Sequence, residues 1–60
     1  MTGEERRERI LALLREVKKP ISGTALAKEC QVSRQVVVQD IALLRAAGYP
    51  VFSTTRGYLL

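Results

Sequence analysis

Sixty residues, with ten Lys and Arg against six Asp and Glu, carry a net charge of +4, and at this size a single core barely sustains a fold without disulfide or metal. One cysteine, Cys30, and no histidine leave no disulfide within the chain, no zinc site of the usual Cys and His kind, and no Ser-His-Asp or Cys-His catalysis. No Gly-rich phosphate loop is present, and the longest apolar run, Ile10 to Leu14, is far short of the ~20 residues of a membrane span. One domain over residues 1–60 is expected, cytoplasmic and not an enzyme, with no cofactor, no metal, no membrane partner and a polyanion as the favoured ligand of its basic surface.

Thr2, followed three residues later by Glu5, reads as a capping box opening a first helix. The spacing predicts that this helix runs to Pro20, with Lys18 and Lys19 in its last turn and Ile10, Leu13, Leu14 and Val17 as one buried stripe. Ser22 is a good N-cap for a short second helix carrying Ala25, Leu26 and Ala27, whose pattern fades around Cys30 and Gln31. Val32 is followed at once by Ser33, a fresh N-cap, so a third helix is expected from Ser33 to about Ala47, ended by Gly48. Its inner stripe is Val37, Ile41 and Leu44, widened by Val36, Leu43 and Ala47. Asp40 falls within that inward arc and needs a partner, expected to be an arginine of the first helix. Cys30 reads as a small buried hydrophobe.

From Tyr49 to Leu60 the chain is rich in strand-favouring Val51, Phe52, Thr54, Thr55 and Tyr58, interrupted by Arg56-Gly57, which predicts two short strands around a turn. A lone hairpin is unstable in water, so it must lie against the helices as a wing. The fold class expected is mostly α: a three-helix winged helix-turn-helix with a C-terminal two-stranded β-hairpin wing.

A short helix, a tight turn through Cys30, Gln31 and Val32, and a longer helix from Ser33 follow the helix-turn-helix order, in which the later helix enters the major groove of DNA. With Val37, Ile41 and Leu44 inward, Gln35, Gln39, Ala42 and Ala46 lie on the opposite face and Arg34, Val38 and Arg45 on one flank. Glutamine matches the N6 and N7 edge of adenine, arginine the O6 and N7 of guanine, and an exposed valine meets a thymine methyl. The candidate DNA-binding residues are Thr24, Ser33, Arg34, Gln35, Val38, Gln39, Arg45 and Arg56. Gln35 and Gln39 are read as base contacts. Arg34 serves either a base or a phosphate, the latter being commoner. Val38 either meets a thymine methyl or packs against the second helix. Thr24 and Ser33 lie near helix N-termini that favour phosphate, although capping alone accounts for Ser33. Arg56, at the wing tip, either enters the minor groove or is simply solvated.

Ile21-Ser22-Gly23, Leu26-Ala27, Val32-Ser33-Arg34-Gln35, the run from Gln39 to Tyr49 and the ending Arg56-Gly57-Tyr58-Leu59-Leu60 resemble the N-terminal winged helix of the niacin-responsive transcriptional repressors. More loosely the chain is similar to the winged helices that head biotin-protein ligase repressors and DeoR-type regulators. A protein-interaction module is the other alternative, and the polar Gln35, Gln39 and Arg34 on the outer face argue against it. The closer resemblance implies an operator-binding head that reads a double-stranded half-site, taken from a homodimeric parent controlling NAD-precursor genes. It also implies that the metal and niacin-type ligand are bound by a further, histidine-bearing domain, so that these residues alone bind no small molecule. Sixty residues committed to three helices and a wing leave no segment for a large dimer interface, so these residues alone are expected to be monomeric.

Overall fold

The computed structural model describes residues 1–60 and orders the elements as α1 (Gly3–Glu16), α2 (Gly23–Cys30), α3 (Arg34–Ala46), β1 (Phe52–Thr54) and β2 (Gly57–Leu59). This is the mostly helical, winged helix-turn-helix architecture that the sequence predicts. All three N-caps fall where the sequence places them. The Thr2 hydroxyl accepts from the Glu5 amide at 3.1 Å while Glu5 accepts from the Thr2 amide at 2.8 Å, closing the capping box. The Thr2 backbone amide, and after it the Thr2 hydroxyl, lower the Glu5 pKa below its ordinary value. Ser22 and Ser33 cap α2 and α3 by accepting from the amides of Ala25 and Val36.

The core joins Ile10, Leu11 and Leu14 of α1 to Leu26, Ala27 and Cys30 of α2, Val37, Ile41 and Leu44 of α3, and Val51 ahead of the hairpin. Fully burying a Leu, Ile or Val contributes about 1.5–3 kcal/mol, so these side chains set the stability of the helical body. Cys30 is buried as expected, and burial pushes its thiol pKa up. It is therefore a poor nucleophile at neutral pH. Asp40, only 1% exposed, finds the partner predicted for it on the first helix. Arg6 grips both carboxylate oxygens, through Nε to Oδ2 and through an amino nitrogen to Oδ1 at 3.0 Å, and Arg7 reaches Oδ1 at 3.3 Å. The bond to Asp40 raises the Arg6 pKa above its ordinary value. A buried carboxylate held by two cations welds α1 to the back of α3.

The first helix departs from expectation at its end. It stops at Glu16, with Val17 extended and Lys18 and Lys19 in a bend. Val17 is thus off the buried stripe, 39% exposed, and Leu11 takes its place in the core. The cause lies in Pro20 and Ile21. The residue before a proline avoids helical ψ, and Ile21 pairs antiparallel with Tyr58, its amide donating to the Tyr58 carbonyl at 2.9 Å and its carbonyl accepting from the Tyr58 amide at 2.8 Å. The chain must leave the helix early to reach that position.

Helices α2 and α3 end in the same way. Gln31 is left-handed at φ 56°, and the Val32 amide donates to the Ala27 carbonyl at 3.0 Å and that of Gln31 to Lys28 at 3.3 Å. Gly48, at φ 99°, does likewise, with Tyr49 donating to Leu44 at 3.1 Å and Gly48 to Arg45 at 3.0 Å. Both are Schellman closures. The first makes the tight turn between the two helices, with half-buried Val32 tucked against the core.

Candidate nucleic-acid interface

The weld of Asp40 to α1 and the burial of Val37, Ile41 and Leu44 fix the rotation of α3 about its axis. The side chains left outside include Arg34, Gln35, Val38, Gln39, Ala42, Arg45 and Ala46, all exposed. Leu43, 49% exposed, and Ala47 are also outside rather than widening the inner stripe, because Asp40 and not Leu43 completes the buried arc of Val37, Ile41 and Leu44. Val38, 44% exposed, is open to solvent rather than packed away against α2. No acid lies among these residues. A helix with one face bolted to the core and the other carrying two amides, cations and small apolar groups presents hydrogen-bonding partners for base edges without repelling phosphate.

Beside α3 lies a cleft of about 250 Å³ between the wing and the start of α2. Thr24, Arg34 and Arg56 converge on it, together with Ser22, Ser53 and Thr55, and none of its lining residues is acidic. Three residues from separate parts of the sequence, each a phosphate or groove candidate, are thereby brought to one place. Arg34 crosses over Gly23, where a methyl would meet Arg34 Nε at 3.4 Å, a close but ordinary contact. Ser33, exposed at the N-terminus of α3, has its hydroxyl engaged with the Val36 amide at 3.2 Å.

The wing is a hairpin of two three-residue strands in the register Phe52 to Leu59, Ser53 to Tyr58 and Thr54 to Gly57. Its turn residues, Thr55 and Arg56, are exposed, so Arg56 stands at the tip. The Thr54 hydroxyl holds the turn, donating to the Gly57 carbonyl at 2.9 Å and accepting from the Arg56 amide at 3.1 Å. Gly57 carries the positive φ of 138°, and a Cβ on it would overlap the Ile21 carbonyl and crowd the Ser22 nitrogen. Glycine is required both by backbone conformation and by the close approach of the α1–α2 link.

Sequence reasoning missed the third, single-residue strand at Ile21 and therefore this role of Gly57. The available signal was a β-branched residue between a proline and an N-cap, which suits one extended position. It also missed the attachment of Arg45, whose Nε donates to the Val51 carbonyl at 2.9 Å and whose amino group donates to the Ser53 hydroxyl at 2.5 Å. Of the eight candidate residues, Arg45 alone has its guanidinium tied to the protein.

Elsewhere, no group of three or more His, Cys, Asp and Glu side chains is placed to hold a metal, and no helix is long and apolar enough to cross a membrane. The family described as an HTH domain matches residues 6–59. The chain is 53% identical over 57 residues, 95% of its length, to the "Probable transcription repressor NiaR" of Thermotoga maritima. It is 48% identical over 59 residues, 98% of its length, to the "Transcription repressor NadR" of Bacillus subtilis. It spans about a third of the length of each of these curated relatives.

Proposed function

Since the chain belongs to the HTH-domain family, we propose that it binds double-stranded DNA in a sequence-dependent way, with α3 in the major groove and the wing on the flanking backbone. The observation that carries this is the outer face of α3, where exposed Gln35, Gln39 and Arg34 lie free of acidic neighbours and beside a polar cleft bearing Arg56. Gln35 and Gln39 contact base edges and Val38 a thymine methyl. Thr24, Ser33 and Arg34 take phosphates at the two helix N-termini. Arg56 neutralises backbone charge or enters the minor groove, and Arg45 supports the site at the root of the wing.

We further propose that the domain is the operator-binding head of a transcriptional repressor in the cytoplasm, controlling NAD- or niacin-related genes. This rests on the two relatives, both described as transcription repressors, and on the motif resemblance. The parent is a homodimer reading two half-sites about one helical turn apart, of which the present sixty residues engage one, with no enzymatic step and no small-molecule ligand of their own.

The test is a binding titration on a duplex selected from a random pool, on the same composition scrambled, and on the single strands. Preference for the selected duplex that weakens steeply with salt is expected. Equal binding to all three would reduce the function to nonspecific charge attraction.

A further inference from the structure

We propose that Arg45 is a positioning residue that sets the wing against the recognition helix, so that its influence on DNA is exerted through Arg56 rather than by its own contact. The proposal rests on the DNA-binding reading above. Arg45 leaves the last turn of α3 and its planar guanidinium makes two bonds on either side of Phe52, to Val51 and to Ser53. Val51 is anchored in the core at 5% exposure, while Ser53 is the middle residue of β1.

The fork therefore fixes the direction in which β1 departs. The other edge of the wing is fixed separately by the Ile21–Tyr58 pair. Between those two attachments every residue of β1 is exposed and every residue of β2 only half-buried. Tyr58 packs against the core and holds β2, but β1 has no buried side chain to orient it, and a two-stranded hairpin is not stable on its own. Two bonds from one rigid plane define a direction, which a single ammonium on a flexible stem does not. Without Arg45 the wing would hinge on Ile21, and the Arg56 tip would no longer hold its distance from the outer face of α3.

The experiment compares the parent with Arg45→Ala, Arg45→Lys, Arg56→Ala and the double variant Arg45→Ala/Arg56→Ala on the selected duplex across a salt series. Loss of one phosphate contact lowers the salt slope by about 0.9, which makes the variant's affinity deficit differ about 3.5-fold between 50 and 200 mM salt. All four variants should show one such loss, because the lysine keeps the charge but not the fork and the double variant has no second contact to lose. A double variant that loses about twice the slope, or a lysine variant that behaves as the parent, would overturn the assignment.

Amide exchange on the free proteins separates this from the DNA-binding reading. Residues 52–59 should exchange about tenfold faster in both Arg45 variants while the core of α1 to α3 keeps its protection. Unchanged wing exchange would sink the positioning role even if DNA binding stands. A loosened wing in a protein whose parent shows no duplex preference would instead sink the DNA-binding reading alone.

Discussion

The helical body and the wing are held together by different forces. In the body, ten buried apolar side chains converge from three helices and the approach to the hairpin, and a buried ion cluster at Asp40 locks the rotation of α3. The wing buries little. It is attached by the backbone pairing of Ile21 with Tyr58, by the half-buried Tyr58 ring against the core, by a glycine that lets two segments touch, and by the Arg45 fork. The body is a matter of summed burial, tolerant of detail. The wing is a matter of a few directional contacts, any of which can be removed singly.

The sharpest way to break that contrast is to empty the core. Leu26 is fully buried, and Leu26→Ala should cost about 2–5 kcal/mol, enough to unfold much of a domain this small, body and wing together, in thermal denaturation followed by circular dichroism. Gly57→Ala should cost about 1–3 kcal/mol for its forced conformation but act locally. Hydrogen exchange should show residues 52–59 and Ile21 losing protection while α1 to α3 retain theirs. Uniform loss of protection would mean that body and wing unfold as one unit. At the surface, Gln35→Ala and Gln39→Ala should each weaken binding to the selected duplex by about 1–3 kcal/mol and relax sequence preference, with the melting temperature unmoved. Binding by both variants equal to the parent would mean that the recognition face lies elsewhere.

Smaller effects test the helix ends. Gln31→Gly removes an αL strain of about 1–2 kcal/mol but loosens the unfolded chain by about 0.4–1 kcal/mol, so a net gain of about 0.5–1 kcal/mol should appear in urea denaturation. The smallest effect follows from the capping box. In the folded domain the Glu5 pKa lies below its ordinary value, held down by the bonds from Thr2. Its contribution is therefore complete above that value and is lost as pH falls through the lowered folded value. Glu5→Gln, which removes the titrating carboxylate, should flatten the stability profile in that acidic window and leave the neutral region parallel, whereas Thr2→Ala, which keeps the backbone amide, should flatten it only in part.

The same division explains what could be read from the sequence. Helical periodicity and serine or threonine caps made the three helix starts, the Val37, Ile41 and Leu44 stripe of α3 and the exposed face of Gln35 and Gln39 legible, because each is a local pattern repeated along the chain. The width of that stripe was not, since Leu43 and Ala47 lie exposed. Asp40 was legible as a misfit, a carboxylate on an apolar arc that demanded a cation. Gly48 announced its turn by identity, whereas Gln31 adopts a similar turn with no residue type to mark it. The wing's attachments were not legible. Ile21 with Tyr58 and Arg45 with Ser53 are pairings between segments, and nothing in either segment names its partner. The early end of α1 at Glu16 followed from one of those pairings, which is why Val17 was misplaced on the buried stripe.

The most direct measurement of the central claim is a nitrogen-15 NMR titration of the domain with the selected duplex. Shifts should concentrate on Thr24, on residues 33–39 along the outer face of α3, and on Arg56 at the wing tip. A contradictory result would be shifts confined to the apolar groove of Leu13, Val17 and Ile21 on the α1–α2 side, with the outer face of α3 unmoved.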